Sequence, residues 1–211
     1  DVSEFFNVIT GHSMPSQYQN LITAPRDMRN QLIEYIEQEA ENARNGLPSG
    51  IFIKVNSLED SEIIYALYRA SQAGVIIKLV IRGICCLRPG RPGLSENIEV
   101  ISIVGDFLEH SRIYHFHNNG QTRTYAGSAD MMVRSFDKRL ESLFKVESPL
   151  LEKQLMNILA FNLRDNFNSY VMQEDGTYLA KEPENGEEVF NVHKEFFNLD
   201  PDKVMQVRLI D

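Results

Sequence analysis

The chain is 211 residues long, 43% hydrophobic, and carries a formal net charge of −9; that length and apolar content fit one domain with a sizeable core and a long terminal appendage. The acidic balance argues against a general nucleic-acid or membrane surface, because those partners select basic proteins, but it leaves room for a polyanion held in a narrow, locally basic channel. No apolar run is long enough to span a membrane, and no secretory signal opens the sequence.

Asp1 begins inside what reads as an ordinary folded segment, so the chain is expected to start within a longer natural sequence. Pro25 to Arg44 predicts a helix with Pro25 near its first turn; Met28, Leu32, Tyr35, Ile36 and Ala43 fall near helical spacing, and Gly46 stops it. Ile51 to Val55 is a short strand rich in β-branched residues. Asn56-Ser57 follows as a turn, and Leu58 to Ala73 predicts a second helix ending at Gly74. Val75 to Ile81 is a nearly continuous apolar run, the pattern of a strand buried on both faces. The strand–helix–strand order makes a βαβ unit, so those two strands should be parallel. A Pro/Gly loop, Leu87 to Glu96, then leaves the end of the sheet where open α/β folds bind ligands.

Further strands are expected at Glu99–Val104, Arg112–Phe116, Arg123–Ala126 and Leu140–Val146. Pro149 opens a long helix reaching Phe167, and Lys181–Glu188 suits an exposed loop or hairpin tip. The expected divisions are 1–22 as linker, 23–170 as the main α/β domain, and 171–211 as a C-terminal extension. Cys85 and Cys86 are the only cysteines. Being adjacent, they suit neither a relaxed disulfide nor a zinc site, and read as buried small residues in a reducing compartment.

Chemistry-bearing residues gather between Arg82 and Arg139. Arginine suits planar, bidentate phosphate recognition, and histidine suits proton or phosphoryl exchange near neutral pH. His110 and Arg112 lie where a loop becomes a strand, and residues two apart on a strand share a face, so the pair could meet one phosphate. The alternative is a strand-edge histidine beside an arginine in a surface ion pair. Arg82, at the end of a buried strand, needs a partner: a bound phosphate, or an ion pair with Asp130 or Glu109. Arg88 and Arg91 either guide a polyanion or are simply solvated. Asp130 either orients His110 or Arg112, or caps the following turn. Arg134 is the candidate for phosphate and Arg139 for an internal ion pair beside Glu141, while Lys138 faces outward. His115 and His117 read as satisfied or exposed strand histidines rather than a metal pair. His12 and His193 carry no assignment.

The wording of these motifs resembles one family. Arg82-Gly-Ile-Cys-Cys-Leu-Arg-Pro-Gly-Arg-Pro-Gly-Leu-Ser-Glu-Asn-Ile98, Ile101-Ser-Ile-Val-Gly, and Phe107-Leu-Glu-His-Ser-Arg112 are similar to the C-terminal region of bacterial polyphosphate kinase. So are Lys54-Val-Asn-Ser-Leu58, Ser128-Ala-Asp-Met, Asp175-Gly-Thr-Tyr178, Gly186-Glu-Glu188 and Glu195-Phe-Phe197. The resemblance implies a phospholipase-D-like α/β fold, a mixed sheet flanked by helices with a C-terminal helical and loop extension. It also implies reversible transfer of the ATP terminal phosphate to polyphosphate through a phosphohistidine. Two tandem phospholipase-D-like domains would share the site, of which this chain is the second; Asp1–Ser13 resembles the end of the first. The phosphorylated nucleophile would then lie in the domain upstream, and His110 would be the family's second essential histidine.

Carried onto this sequence, the resemblance makes His110 catalytic and assigns Arg82, Arg112, Arg88, Arg134 and Lys54 to nucleotide or phosphate. Asp130, Ser128 and Arg139 are supporting. Mg²⁺ would arrive with ATP rather than be held by this domain alone, and no residue here is expected to ligate a metal. The implied partners are ATP or ADP, inorganic polyphosphate, the other domains of the same enzyme and, at full length, further copies of it, but no nucleic acid. The implied location is cytoplasmic, with membrane association at full length left open. The phospholipase D signature itself is degenerate here. Arg112 replaces the lysine of His-x-Lys, His117 stands where an aspartate would fall, and Gly127-Ser-Ala-Asp130 replaces the glycine turn. That suits a supporting half-site better than an independent phosphodiesterase. A binding module that grips polyphosphate or nucleotide without catalytic groups is the competing reading, and a hydrolase ranks last.

Overall fold

The structure, a computed structural model, describes residues 1–12, 18–184 and 186–198. Ser13 of the opening segment, Asn185 of the late loop and 199–211 of the expected extension lie outside the described residues. In chain order come α1 (Val2–Ile9), β1 (Leu21–Ala24), α2 (Met28–Arg44), β2 (Ile51–Val55), α3 (Ser61–Gln72), β3 (Ile77–Ile81), β4 (Ile98–Ile103) and β5 (Ile113–Phe116). There follow β6 (Arg123–Gly127), α4 (Val133–Asp137), β7 (Glu141–Lys145), α5 (Pro149–Arg164), β8 (Ser169–Met172), β9 (Tyr178–Ala180) and α6 (Val192–Phe197). Among the described residues the strands form one nine-stranded sheet ordered β1-β7-β6-β5-β2-β3-β4-β8-β9.

The expected βαβ unit is present: β2 and β3 pair in parallel, and β4 adds to β3 in parallel. All other pairings are antiparallel. The continuous apolar runs follow from burial on both faces. Ile51, Ile53, Ile77 and Leu79 join Leu32, Ile36, Ile63 and Leu67 in the large core under α2 and α3. On the opposite face, Val80, Ile101 and Ile103 pack with Phe161, Phe190 and Val192 of the C-terminal third, and Phe52 and Ile113 pack with Leu159. Among the described residues, no helix is long and apolar enough to cross a membrane.

Several boundaries differ from the sequence reading. Pro25 lies in the turn ahead of α2, where Asp27 N–H donates to Thr23 O (3.2 Å). Leu58 does not start a helix, because its backbone forms bridges to Cys85 and Met131; α3 starts only after Asp60, whose side chain accepts Ile63 N–H (3.1 Å) as its cap. α5 stops at Arg164 because buried Asp165 turns the chain, accepting the N–H groups of Phe167 (3.1 Å) and Asn168 (2.6 Å). The expected domain edges after 22 and 170 fall inside β1 and β8, so the sheet runs through both. Of the two forms expected for Lys181–Glu188, the described residues 181–184 and 186–188 take the exposed loop, after β9, and the β8–β9 hairpin turns earlier, at Asp175-Gly176. Cys86 is exposed and Cys85 only half-buried, with its thiol pushed up to about 11 by burial, so the expectation of two buried cysteines fails.

Candidate functional site

The parallel strands β2 and β3 end side by side, and the residues just past them meet the loops around β5 and β6. Asp130, which follows β6, is the hub. Its Oδ1 accepts Asn56 N–H (2.7 Å), Asn56 Nδ2 (3.0 Å) and Arg112 Nε (3.2 Å), and its Oδ2 accepts Arg112 Nη2 (3.2 Å). Asn56 passes this order on, because its Oδ1 accepts Arg82 Nε (2.5 Å). One buried carboxylate thus fixes two guanidinium groups, one by a two-point pair and the other through an amide. Asp130 holds Arg112 and does not cap α4, whose first residues receive no side-chain bond.

Arg112 in turn donates Nη1 to the His110 carbonyl (3.0 Å). His110 is exposed on the loop before β5, which begins only at Ile113. The expected shared strand face of His110 and Arg112 is therefore absent; the two are tied by guanidinium to backbone. Among the described residues, the His110 imidazole takes part in no protein hydrogen bond.

A second buried charge lies alongside. Lys54 is 1% exposed, and its Nζ pairs with Glu109 Oε2 at 2.9 Å. Burial holds the Lys54 ammonium below the usual lysine range; Glu109 opposes that, and nearby Arg82 and Arg112 add to it. The other oxygen of Glu109 meets His193 Nε2 at 2.9 Å. Glu109 is thus the partner of Lys54 rather than of Arg82, and no carboxylate among the described residues lies within ion-pair distance of Arg82. That half-buried guanidinium instead lines a cleft of about 250 Å³ with Gly83, Ser102, Val104, Tyr170 and Tyr178. Three cations against two carboxylates leave a local positive surplus in an acidic chain. Such a surplus, with donors left over on Arg82 and Arg112 next to the exposed His110 loop, can bind and neutralise a phosphate.

The other candidates lie further out. Arg88 is half-buried under the β8–β9 turn, where a Cβ on Gly176 would lie 2.7 Å from its guanidinium carbon, and its Nη1 donates to Leu87 O (3.3 Å). Arg91 Nε donates to Glu174 O (3.1 Å) in the same turn. Arg134 and Lys138 are exposed on and just after α4. Arg139 is exposed, with Nη1 4.0 Å from Glu141 Oε1, a loose surface pair rather than an internal one. Ser128 Oγ accepts Ser142 N–H (3.2 Å). His115 is buried and donates Nδ1–H to Thr124 Oγ1 (2.7 Å), whereas His117 accepts Gly120 N–H (3.3 Å) in a tight turn. Asn56 and His193 escaped the sequence reading. The signal for Asn56 was a polar residue directly after a five-residue buried strand; for His193, only its place beside the helix-capping Asn191.

The family model described as "Polyphosphate kinase C-terminal domain 2" matches residues 21–192. Polyphosphate kinase of Thermosynechococcus vestitus is 48% identical over 193 residues, 92% of this chain but 26% of that protein. Polyphosphate kinase of Synechocystis sp. is 48% identical over 188 residues, covering 89% and 26%. The chain therefore spans about a quarter of the length of these relatives. Among solved structures, polyphosphate kinase from Porphyromonas gingivalis superposes with a TM-score of 0.91 at 34% identity, over 98% of this chain and 32% of that one. The phospholipase D family member Nuc from Salmonella typhimurium shares the fold, with a TM-score of 0.53 at 15% identity over 72% of this chain and 96% of its own.

Proposed function

The chain belongs to the polyphosphate kinase C-terminal domain 2 family, and from that premise we propose that it is one half of a site for reversible transfer of the ATP terminal phosphate to inorganic polyphosphate. The observation that carries this reading is the Asp130 hub, which holds Arg112 and, through Asn56, Arg82 beside the loop of His110. Phosphoryl transfer asks a protein mainly for positioning and charge stabilisation. Arg82 and Arg112 neutralise the phosphate oxygens. Because the protein already fixes both forks, little freedom is lost when they bind. The exposed His110 imidazole contacts the phosphoryl group in flight as a hydrogen-bond donor or proton carrier.

The phosphohistidine nucleophile belongs, in this reading, to a further domain of the longer enzyme, so the 211-residue chain alone turns over little or no substrate. ATP or ADP, polyphosphate and those other domains are its partners, and self-association at full length is part of the same proposal. Mg²⁺ is a poor fit to the side chains here. Both oxygens of Asp130 and of Glu109 are already engaged by protein donors. The ion would travel on the nucleotide phosphates, and no step is assigned to it.

A binding module without catalytic groups is the second reading, favoured by the lack, among the described residues, of any orienting bond to the His110 ring. His110→Ala in a full-length polyphosphate kinase carrying this chain separates the two. Loss of a transition-state contact should lower kcat by about 10²- to 10⁴-fold with an unchanged melting temperature. Near-normal kcat would leave only the binding module.

A further inference from the structure

The Lys54–Glu109–His193 chain is more than phosphate binding requires. Glu109 immediately precedes His110, and its two oxygens tie the loop to two different places: Oε2 to Lys54 inside β2, and Oε1 to His193 on α6. His193 is only 3% exposed, so although it lines a cavity of about 300 Å³ with Phe107, Glu109, Phe196 and Phe197, its ring offers a ligand almost no surface. Its ring meets Phe107 edge-on (5.5 Å between centroids, 76° between planes), and Phe107 stacks on Phe197 of the same helix (5.7 Å, 22°). The loop backbone passes close to this ring at Gly105, where a Cβ would come within 2.7 Å of His193 Nδ1.

The helix that presents His193 is itself fixed to the body. Asn191 Oδ1 caps it, accepting His193 N–H (3.0 Å) and Lys194 N–H (3.2 Å), and also accepts Asn168 Nδ2 (3.1 Å). Val192 N–H donates to the buried Asp165 Oδ2 (2.8 Å). The loop starts with Val104 N–H on Asn168 O (3.0 Å) and ends with His110 O on Arg112. Between those two points its residues are largely exposed, and Glu109 supplies the inward tether.

We propose that His193, acting through Glu109, is a positioning residue for His110, and that the C-terminal helix α6 is the clamp holding the catalytic loop in register. This rests on the reading of His110 as a catalytic group. A displacement of about 1 Å at a reacting group can cost up to about 10²-fold in rate, so an anchor of this kind acts on turnover without meeting the substrate.

His193→Ala and His193→Gln test the clamp in two settings. In a full-length polyphosphate kinase carrying this chain, the alanine variant should lower kcat about tenfold with the nucleotide KM unchanged. Glutamine, whose amide can still donate to Glu109, should restore kcat to within about threefold by the same argument. In the 211-residue chain, amide hydrogen exchange across 104–112 should quicken about tenfold for the alanine variant and not for glutamine, while β2 and β3 stay protected. Unchanged loop exchange in the alanine variant overturns the clamp. If that variant loses protection in β2 and β3 as well, Glu109→Gln decides: a loosened loop with reduced kcat supports the clamp, and neither change overturns it. His110→Ala, assayed alongside, keeps the two claims apart. An active His110→Ala enzyme removes the catalytic reading, whereas an inactive one beside a fully active His193→Ala enzyme removes the clamp alone.

Discussion

At the Gly50 end of the central strands, Glu39 is fully buried and accepts the backbone N–H groups of Gly50 (3.0 Å) and Asn118 (2.5 Å). Burial raises its carboxyl above the usual range. Nearby, His115 donates to the Thr124 hydroxyl, which donates onward to Glu152 Oε1 (2.6 Å). At the opposite end, past Val55, Asp130 and Glu109 hold three cations, and one of them, Arg82, lines an open cleft. Both ends bury ionisable groups, so burial alone marks neither as a site. What differs is the surplus. At the first end the Glu39 carboxylate and the His115–Thr124–Glu152 chain find their partners within the fold, while at the second Arg82 lines a cleft where its donors can meet an anion.

The largest test of that contrast is Asp130→Ala. It strips the shared acceptor from Arg112 and Asn56, and removing one partner of a buried charged pair costs about 4 kcal/mol. Urea denaturation should show an unchanged slope and a midpoint lowered by that free energy divided by the slope. A loss below about 1 kcal/mol, the scale of exposed ion pairs, would make the hub a surface arrangement.

The closed end should announce itself through acid. Burial lowers the His115 pKa to about 4 from an ordinary 6.5. The unfolded chain therefore takes up a proton here that the folded chain refuses. Stability from the neutral ring is complete above pH 6.5 and is lost as pH falls toward 4, by about 3 kcal/mol at most. Urea midpoints measured between pH 7 and pH 4 should fall less steeply for His115→Gln than for the parent chain. Equal slopes would mean that this histidine is solvated in the fold.

The smallest effects separate two kinds of arginine. Arg82→Ala should weaken polyphosphate binding about tenfold at low salt, equivalent to about 1.4 kcal/mol, with stability nearly unchanged. Arg88→Ala should do the reverse, costing about 1 kcal/mol by undermining the β8–β9 turn while affinity stays within about twofold. If Arg88 governs binding and Arg82 does not, the Pro/Gly loop is the anion channel, and the surplus argument falls.

The interior strands were legible because their sequences leave few options. Ile51–Val55 and Ile77–Ile81 are apolar throughout apart from Lys54 and Lys78, and only double-sided burial suits such runs. β1, β8 and β9 were missed. Ser169–Met172 and Tyr178–Ala180 are short and partly exposed, and they become strands only because β4 offers an unpaired edge for β8, which then pairs β9. In the site, the motif resemblance gathered Arg82, Arg112, His110 and Asp130, but not who holds whom. Arg112 keeps Asp130, Arg82 settles on Asn56, and Glu109 goes to Lys54, because pairings across 18, 26 and 55 residues are decided by strand register and leave no local pattern. The surroundings of the two arginines of the Pro/Gly loop were unreadable for the same reason. Arg88 lies against Gly176 and Arg91 donates to Glu174 O, 83 residues later in the chain.

Both outer strands of the sheet are also cut short. β1 has four residues and is followed at once by Pro25; β9 has three, followed by Lys181, Glu182 and Pro183. An unpaired strand margin is a template on which another chain can grow, and brevity, charge and proline are the usual ways to spoil it. A sheet nine strands wide therefore offers neighbours almost no backbone to copy. Association of this domain with another chain is thereby steered to its faces and helices and away from strand addition.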